Sequence, residues 1–199
     1  MDLIHESTDI VDTDLELKIK EYMDYLNQHI TRVIDEFKKY FVPLVTSDEL
    51  PANIGKYTKD DFIYAIKKCA LTIDKHDLSK YNDMEFYPYR RHWHPTVKEE
   101  SEDDDRQQVA EEQYEKAWQH HYEHNNHHVQ HWYDFNNSMT KDIPLECVVE
   151  MICDWISMSI IKNNPTIDYW WKTDADKERS MMTVDTIAAI NDIYTLLTK

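Results

Sequence analysis

The sequence predicts an all-α protein, a single domain of about five or six helices. Two observations carry that prediction. Apolar residues recur at helical spacing in five separate segments, the mark of helices that bury one face. The chain of 199 residues also contains one glycine, Gly55. β-Hairpins, Rossmann turns and glycine-rich phosphate loops need glycine for positive φ or close backbone approach. With 41% apolar residues, 6 Trp and 13 Tyr, a chain of this length can bury a core within one domain.

Residues 1–12 read as a polar N-terminal tail and residues 13–199 as the domain. Thr13 with Glu16 is a capping-box pattern that opens a long helix to about Phe41. Its apolar stripe is Tyr22, Leu26, Val33 and Phe37, and His29 falls on it. Pro43 and Pro51 mark a loop, and Thr58 with Asp61 opens a second helix. Phe62, Ile66, Cys69 and Ile73 form its buried face, and His76 continues the phase, so His76-Asp77 is expected at the inner end of a core helix. Residues 83–97 read as aromatic and irregular. The charged run Lys98 to Arg106 reads as a solvated loop or the start of the next helix. A third helix is expected from Gln107 to His124, with Ala110, Tyr114, Ala117 and His121 on one face and Asn125-Asn126 ending it. Asp142 and Pro144 open a fourth, whose face of Cys147, Met151, Asp154 and Met158 is apolar but for Asp154, with Glu150 one turn earlier. Pro165 ends that region, and a last helix from Thr183 to Leu197 carries Ile187, Ile190, Tyr194 and Leu197.

Net charge restricts the partners. With 22 basic and 39 acidic side chains the chain carries −17, a surface that repels phosphate backbones and disfavours general nucleic-acid binding. Cys69, Cys147 and Cys153 form no Cys-x-x-Cys pair and read as reduced, buried thiols. The acidic N-terminus lacks a secretory pattern, and no apolar stretch of about 18 residues exists to span a membrane, so a cytoplasmic location is expected.

The histidines point to chemistry. His76-Asp77 is followed by His120-His121, His127-His128 and Asp154, and six of the eleven histidines fall between His120 and His131. Imidazole and carboxylate are the ligands of Zn, Fe, Mn and Ni sites. His29, His76 and Asp154 each place a titratable group on a core-facing stripe, where burial without a partner costs several kcal/mol, roughly. A shared cation satisfies all three at once.

The order His29, His76-Asp77, His120 or His121, His127 or His128, then Asp154 resembles the HD-domain superfamily of metal-dependent phosphohydrolases. The string His76-Asp77-Leu78-Ser79-Lys80 is similar to the His-Asp-x-Gly-Lys string of the HD-GYP branch, with Ser79 in place of Gly. The Gly-Tyr-Pro signature of that branch is absent, so cyclic-dinucleotide specificity does not carry over. From about residue 20 to 165 the chain resembles more closely an uncharacterised phage and bacterial family with an HDLSK-type string. The matching text is Ala117-Trp118, His120-His121, Asn125, His127-His128, then Glu150-Met151 and Asp154-Trp155.

The resemblance implies an HD-like bundle with a His/Asp site for one or two divalent cations (Mn, Fe, Ni, Zn or Mg). His29, His76, Asp77 and Asp154 would hold the first. Histidines among His120, His121, His127 and His128 would hold a second, with Asp77 bridging, and His121 is favoured over His120 by its helix face. Bound water would fall from a pKa of about 15.7 to about 7, and two ions about 3.5–4 Å apart could clamp a phosphate ester. Lys80, one helical turn from Asp77, could neutralise a phosphate, and Glu150 could act as a base or orient a ligating histidine. The expected function is hydrolysis of a nucleotide or other small phosphate ester, in the host cytoplasm if the chain is phage-encoded. Two rivals share the same residues: an HD-like di-iron oxygenase, and a non-catalytic acidic binding or inhibitor protein.

Overall fold

A computed structural model describes the backbone of residues 3–162 and 166–199, and the side chains from Thr13 onward. Among the described residues, nine α-helices and two hairpins of two-residue strands make up the regular structure, with a few short 3-10 turns. Six of the helices have eleven residues or more. The protein is therefore predominantly α-helical, and no helix of the described residues is long and apolar enough to cross a membrane.

Helix α1 runs Leu3–Tyr40. It begins ahead of the Thr13–Glu16 pattern, since 3–12 contains no glycine or proline to stop it. Its stripe of Tyr22, Leu26, His29, Val33 and Phe37 is buried throughout. After a hairpin of β1 (Asn53–Ile54) and β2 (Tyr57–Thr58) comes α2, Lys59–Cys69, opened by a capping box between Thr58 and Asp61. The chain's single glycine makes that hairpin. Gly55 sits at φ +55°, and a Cβ on it would lie 3.1 Å from the Ala189 nitrogen.

The HD pair is not on a helix. Helix α2 ends at Cys69, whose carbonyl accepts the Thr72 hydroxyl. A 3-10 turn, Ile73–Lys75, follows, and Asp77 then takes a left-handed conformation at φ 57°, ψ 14°. Aspartate tolerates that region better than most side chains. Helical phase still found the right side, because Ile73 and His76 are both buried.

Residues 83–97 differ from the expected irregular stretch. They form α3, Asp83–Trp93, capped by Asn82, whose side chain accepts the Met84 amide, and the start of α4, Val97–Glu100. Pro88 lies inside α3 and conceals it in the sequence. The charged run resolves into helix starts. Glu99 completes a capping box with Thr96, and Asp103 Oδ1 accepts the Arg106 amide at the head of α5, Asp104–His124. A second hairpin, β3 (Tyr133–Asp134) with β4 (Met139–Thr140), precedes α6, Leu145–Ile161, with Pro144 at its N-cap. The stop expected at Pro165 lies outside the described residues. Two short helices, α7 (Tyr169–Thr173) and α8 (Asp176–Ser180), precede α9 (Val184–Leu197), which Thr183 caps.

The described chain divides into two compact units. The first comprises residues up to Gln28 and Asp77–His124. There α3 packs on α5, around a core of Tyr22, Leu26, Phe86, Tyr89 and Ala117. The Tyr22 ring meets Phe86 edge-on at 5.1 Å. The second unit comprises His29–His76 and Asn125–Lys199. Helix α6 is its centre, packed by α2, α7 and α9. Ile152, Cys153 and Ile156 of α6 are fully buried, among Phe41, Phe62, Ile190 and Ile193.

Candidate metal centre

In the second unit three side chains from three segments meet. His29 comes from the buried stripe of α1, His76 from the turn after α2, and Asp154 from α6. The Nε2 atoms of His29 and His76 are 3.3 Å apart. Asp154 Oδ1 lies 3.3 Å from the first and 4.0 Å from the second. The point equidistant from these three atoms is about 2.1 Å from each, the length of Zn–N, Zn–O and Mg–O bonds. Two imidazole nitrogens and a carboxylate oxygen thus fit a divalent cation, and three protein ligands leave it open positions. The two histidines are sealed, at 3% and 0% side-chain exposure, while Asp154 is 14% exposed, so solvent approaches from the Asp154 side.

The far nitrogens are also held. Glu150 Oε1 accepts from His76 Nδ1 at 3.0 Å and lies 3.2 Å from His127 Nδ1. Burial pushes the Glu150 carboxyl up, but the hydrogen bonds from His127 and His76 outweigh it and bring the pKa down to about 2. An ionised Glu150 only accepts, so His76 carries its proton on Nδ1 and turns the Nε2 lone pair toward His29 and Asp154. Ser157 Oγ lies 3.3 Å from His29 Nδ1. His76, His127 and Glu150 form a second group whose ligand atoms lie within 4.8 Å of one another. The His127 and His128 rings adjoin at 4.2 Å, and His128 is half-buried.

The first unit holds its own cluster. Asp77 is buried, with Lys80 Nζ 2.6 Å from Oδ2 and His121 Nε2 3.2 Å from Oδ1. Lys80 therefore spends its charge on Asp77. His121 is fully buried on the same face as Ala117, whereas His120 is 20% exposed. Both reach Glu85 of α3: His120 Nδ1 lies 2.6 Å from Oε1 and His121 Nδ1 2.8 Å from Oε2. The Ser79 hydroxyl donates to Oε2 at 2.9 Å. Burial would raise the Glu85 carboxyl, and the hydrogen bonds from His121, His120 and Ser79 hold it below the usual range instead.

Among the expected residues, His29, His76, Asp154, His127 and Glu150 gather in the second unit, and Asp77, Lys80, His120 and His121 in the first. Glu85, Ser79 and Ser157 were not identified from sequence. Glu85 had a signal: it precedes the buried Phe86 and stands four residues before the buried Tyr89, but only once 83–93 is taken as a helix. The three cysteines are free and buried, and burial raises their thiols, which removes them as reactive groups.

No curated protein and no solved structure matches the chain. One family model does, over residues 18–196, and that span takes in every residue of both clusters. The protein belongs to the family described as "Family of unknown function (DUF5662)".

Proposed function

We propose that this protein is a metal-dependent phosphohydrolase acting on a nucleotide or another small phosphate ester. The observation that carries the proposal is the convergence of His29 Nε2, His76 Nε2 and Asp154 Oδ1 on one point at bonding distance, with no fourth protein ligand required. The resemblance of the His29, His76-Asp77, Asp154 order to the HD-domain phosphohydrolases supports it. A divalent cation held there supplies Lewis acidity and an acidic water at neutral pH. The chain's own residues do the rest. Glu150 fixes the His76 tautomer, Ser157 backs His29, and the buried pair keeps bulk water away from all but the Asp154 side. The charge of −17 favours a small substrate over a polyanion.

The test begins with elemental analysis of untagged protein prepared without chelator. Phosphate release is then measured from nucleoside mono- and triphosphates and cyclic nucleotides, with Mn, Mg, Fe or Ni added. Metal-dependent release that disappears in His76→Ala and Asp154→Asn is expected. Metal-loaded wild type that releases phosphate from none of these, or variants that retain full release, would overturn the proposal.

A further inference from the structure

We infer that Glu85 is a positioning residue that holds both His120 and His121 with a proton on Nδ1, so that Nε2 is the atom each ring turns away from Glu85. Consecutive helical residues project about 100° apart, so two adjacent histidines do not ordinarily share one partner. Here a single carboxylate from the facing helix α3 divides between them, Oε1 to His120 Nδ1 at 2.6 Å and Oε2 to His121 Nδ1 at 2.8 Å. Glu85 is 0% exposed, so these bonds are not exchanged for water. A carboxylate offers only acceptors, so each facing Nδ1 must bring the hydrogen. Ser79 Oγ also lies 3.1 Å from His121 Nδ1, but its one hydrogen points to Glu85 Oε2 at 2.9 Å, which leaves it no proton for the ring. The consequence falls on the other side of His121, where Nε2 faces Asp77 Oδ1 at 3.2 Å. Two atoms with lone pairs at that distance are joined by a cation or a shared proton. Glu85 thereby determines which atom of His121 meets Asp77.

The inference stands apart from the hydrolase proposal, because ring protonation is read in protein stripped of metal, without any substrate. Long-range proton–nitrogen correlation spectra of chelator-treated protein at about pH 9, well above the ordinary imidazole value, report which nitrogen is protonated. His120→Gln and His121→Gln assign the two rings. The expected wild-type result is a protonated Nδ1 on both. Glu85→Gln presents one acceptor and one donor in the same space, so one of the two rings should lose its Nδ1 proton, with the large displacement of that nitrogen signal. A bare Nδ1 on either ring of the wild type would overturn the inference, as would an unchanged pair of signals in folded Glu85→Gln. Should that variant fail to fold, the wild-type spectrum alone decides.

Discussion

Replacing Glu150 by glutamine should weaken metal binding while leaving the metal-free fold nearly intact. Glutamine keeps one oxygen at the reach of His76 Nδ1, 3.0 Å away, so the tautomer and its direction survive. What is lost is the negative charge behind the ligand, and charge-assisted bonds are about twice as strong as neutral ones. Removing such a partner weakens metal affinity about 10- to 100-fold, or about 1.4–2.7 kcal/mol. The effect can be read as heat stability. Metal at about 100 times the wild-type Kd stabilises the fold by about 2.7 kcal/mol. The same metal stabilises the variant by only about 0.4–1.4 kcal/mol. For a chain of this size each kcal/mol moves Tm by about 2–4 °C. Wild type should therefore gain about 5–11 °C from metal, and Glu150→Gln about 1–6 °C.

Calorimetry of chelated and metal-loaded protein measures both shifts, and competition with a colorimetric chelator gives the two affinities. Glu150→Ala is the contrast. It removes the acceptor of two buried imidazoles and should lower the stability of the metal-free protein itself, by about 1–3 kcal/mol for each stranded N–H. Equal metal-induced shifts in wild type and Glu150→Gln, with equal affinities, would refute the role of Glu150 behind His76.

Three further outcomes test the fold. Glu99, chelated by the buried Arg90 at 2.5 and 2.7 Å, is held at a pKa of about 2, below the ordinary 4.5, because the hydrogen bonds from Arg90 and Thr96 outweigh burial. Since the folded value is the lower one, its stabilisation is complete above about pH 4.5 and lost as pH falls toward 2. Glu99→Gln should accordingly be about 2–3 kcal/mol less stable at pH 7 in urea, the gap to wild type closing near pH 2; a gap that persists unchanged there would count against the ion pair. Gly55→Ala combines a left-handed backbone with a contact to Ala189 at 3.1 Å and should cost about 1–2 kcal/mol in the urea midpoint, whereas an unchanged midpoint would refute the close approach. Ile152→Ala, at the fully buried centre of α6, should cost about 2–5 kcal/mol by the same measurement, and a loss below about 1 kcal/mol would place that side chain outside the core.

Long periodic segments were readable from sequence because burial fixes their pattern. The stripe Tyr22 to Phe37 and the cap at Thr58 depend on local chemistry, and they stand as expected. Helix α3 was hidden by Pro88, whose cost is borne by tertiary packing of Phe86 and Tyr89, a term no local propensity contains. The turn at His76-Asp77 reads as helix in the sequence because Ile73 and His76 keep a helical phase. The left-handed Asp77 that ends it leaves no periodic trace. Glu85 stayed invisible for a related reason: a glutamate on an assumed loop is a solvated charge, and only a helix turns it inward.

A recurrent arrangement of imidazoles distinguishes these clusters from ordinary core histidines. A histidine buried for packing needs its polar atoms satisfied and nothing more. Its two nitrogens could then take any neighbours. In this chain the far side of His76 goes to Glu150, that of His29 to Ser157, and that of His121 to Glu85, each through Nδ1. The near side is Nε2 in all three, and each Nε2 faces an aspartate oxygen: Asp154 Oδ1 for His29 and His76, Asp77 Oδ1 for His121. Random satisfaction would mix the two nitrogens. Uniform use of Nδ1 outward and Nε2 inward, in two units with separate cores, instead puts a carboxylate behind His76 and His121, a hydroxyl behind His29, and an aspartate oxygen in front of all three. A cation beside a carboxylate requires that combination, and the buried Glu85 and Glu150 each stand behind a histidine where it would serve.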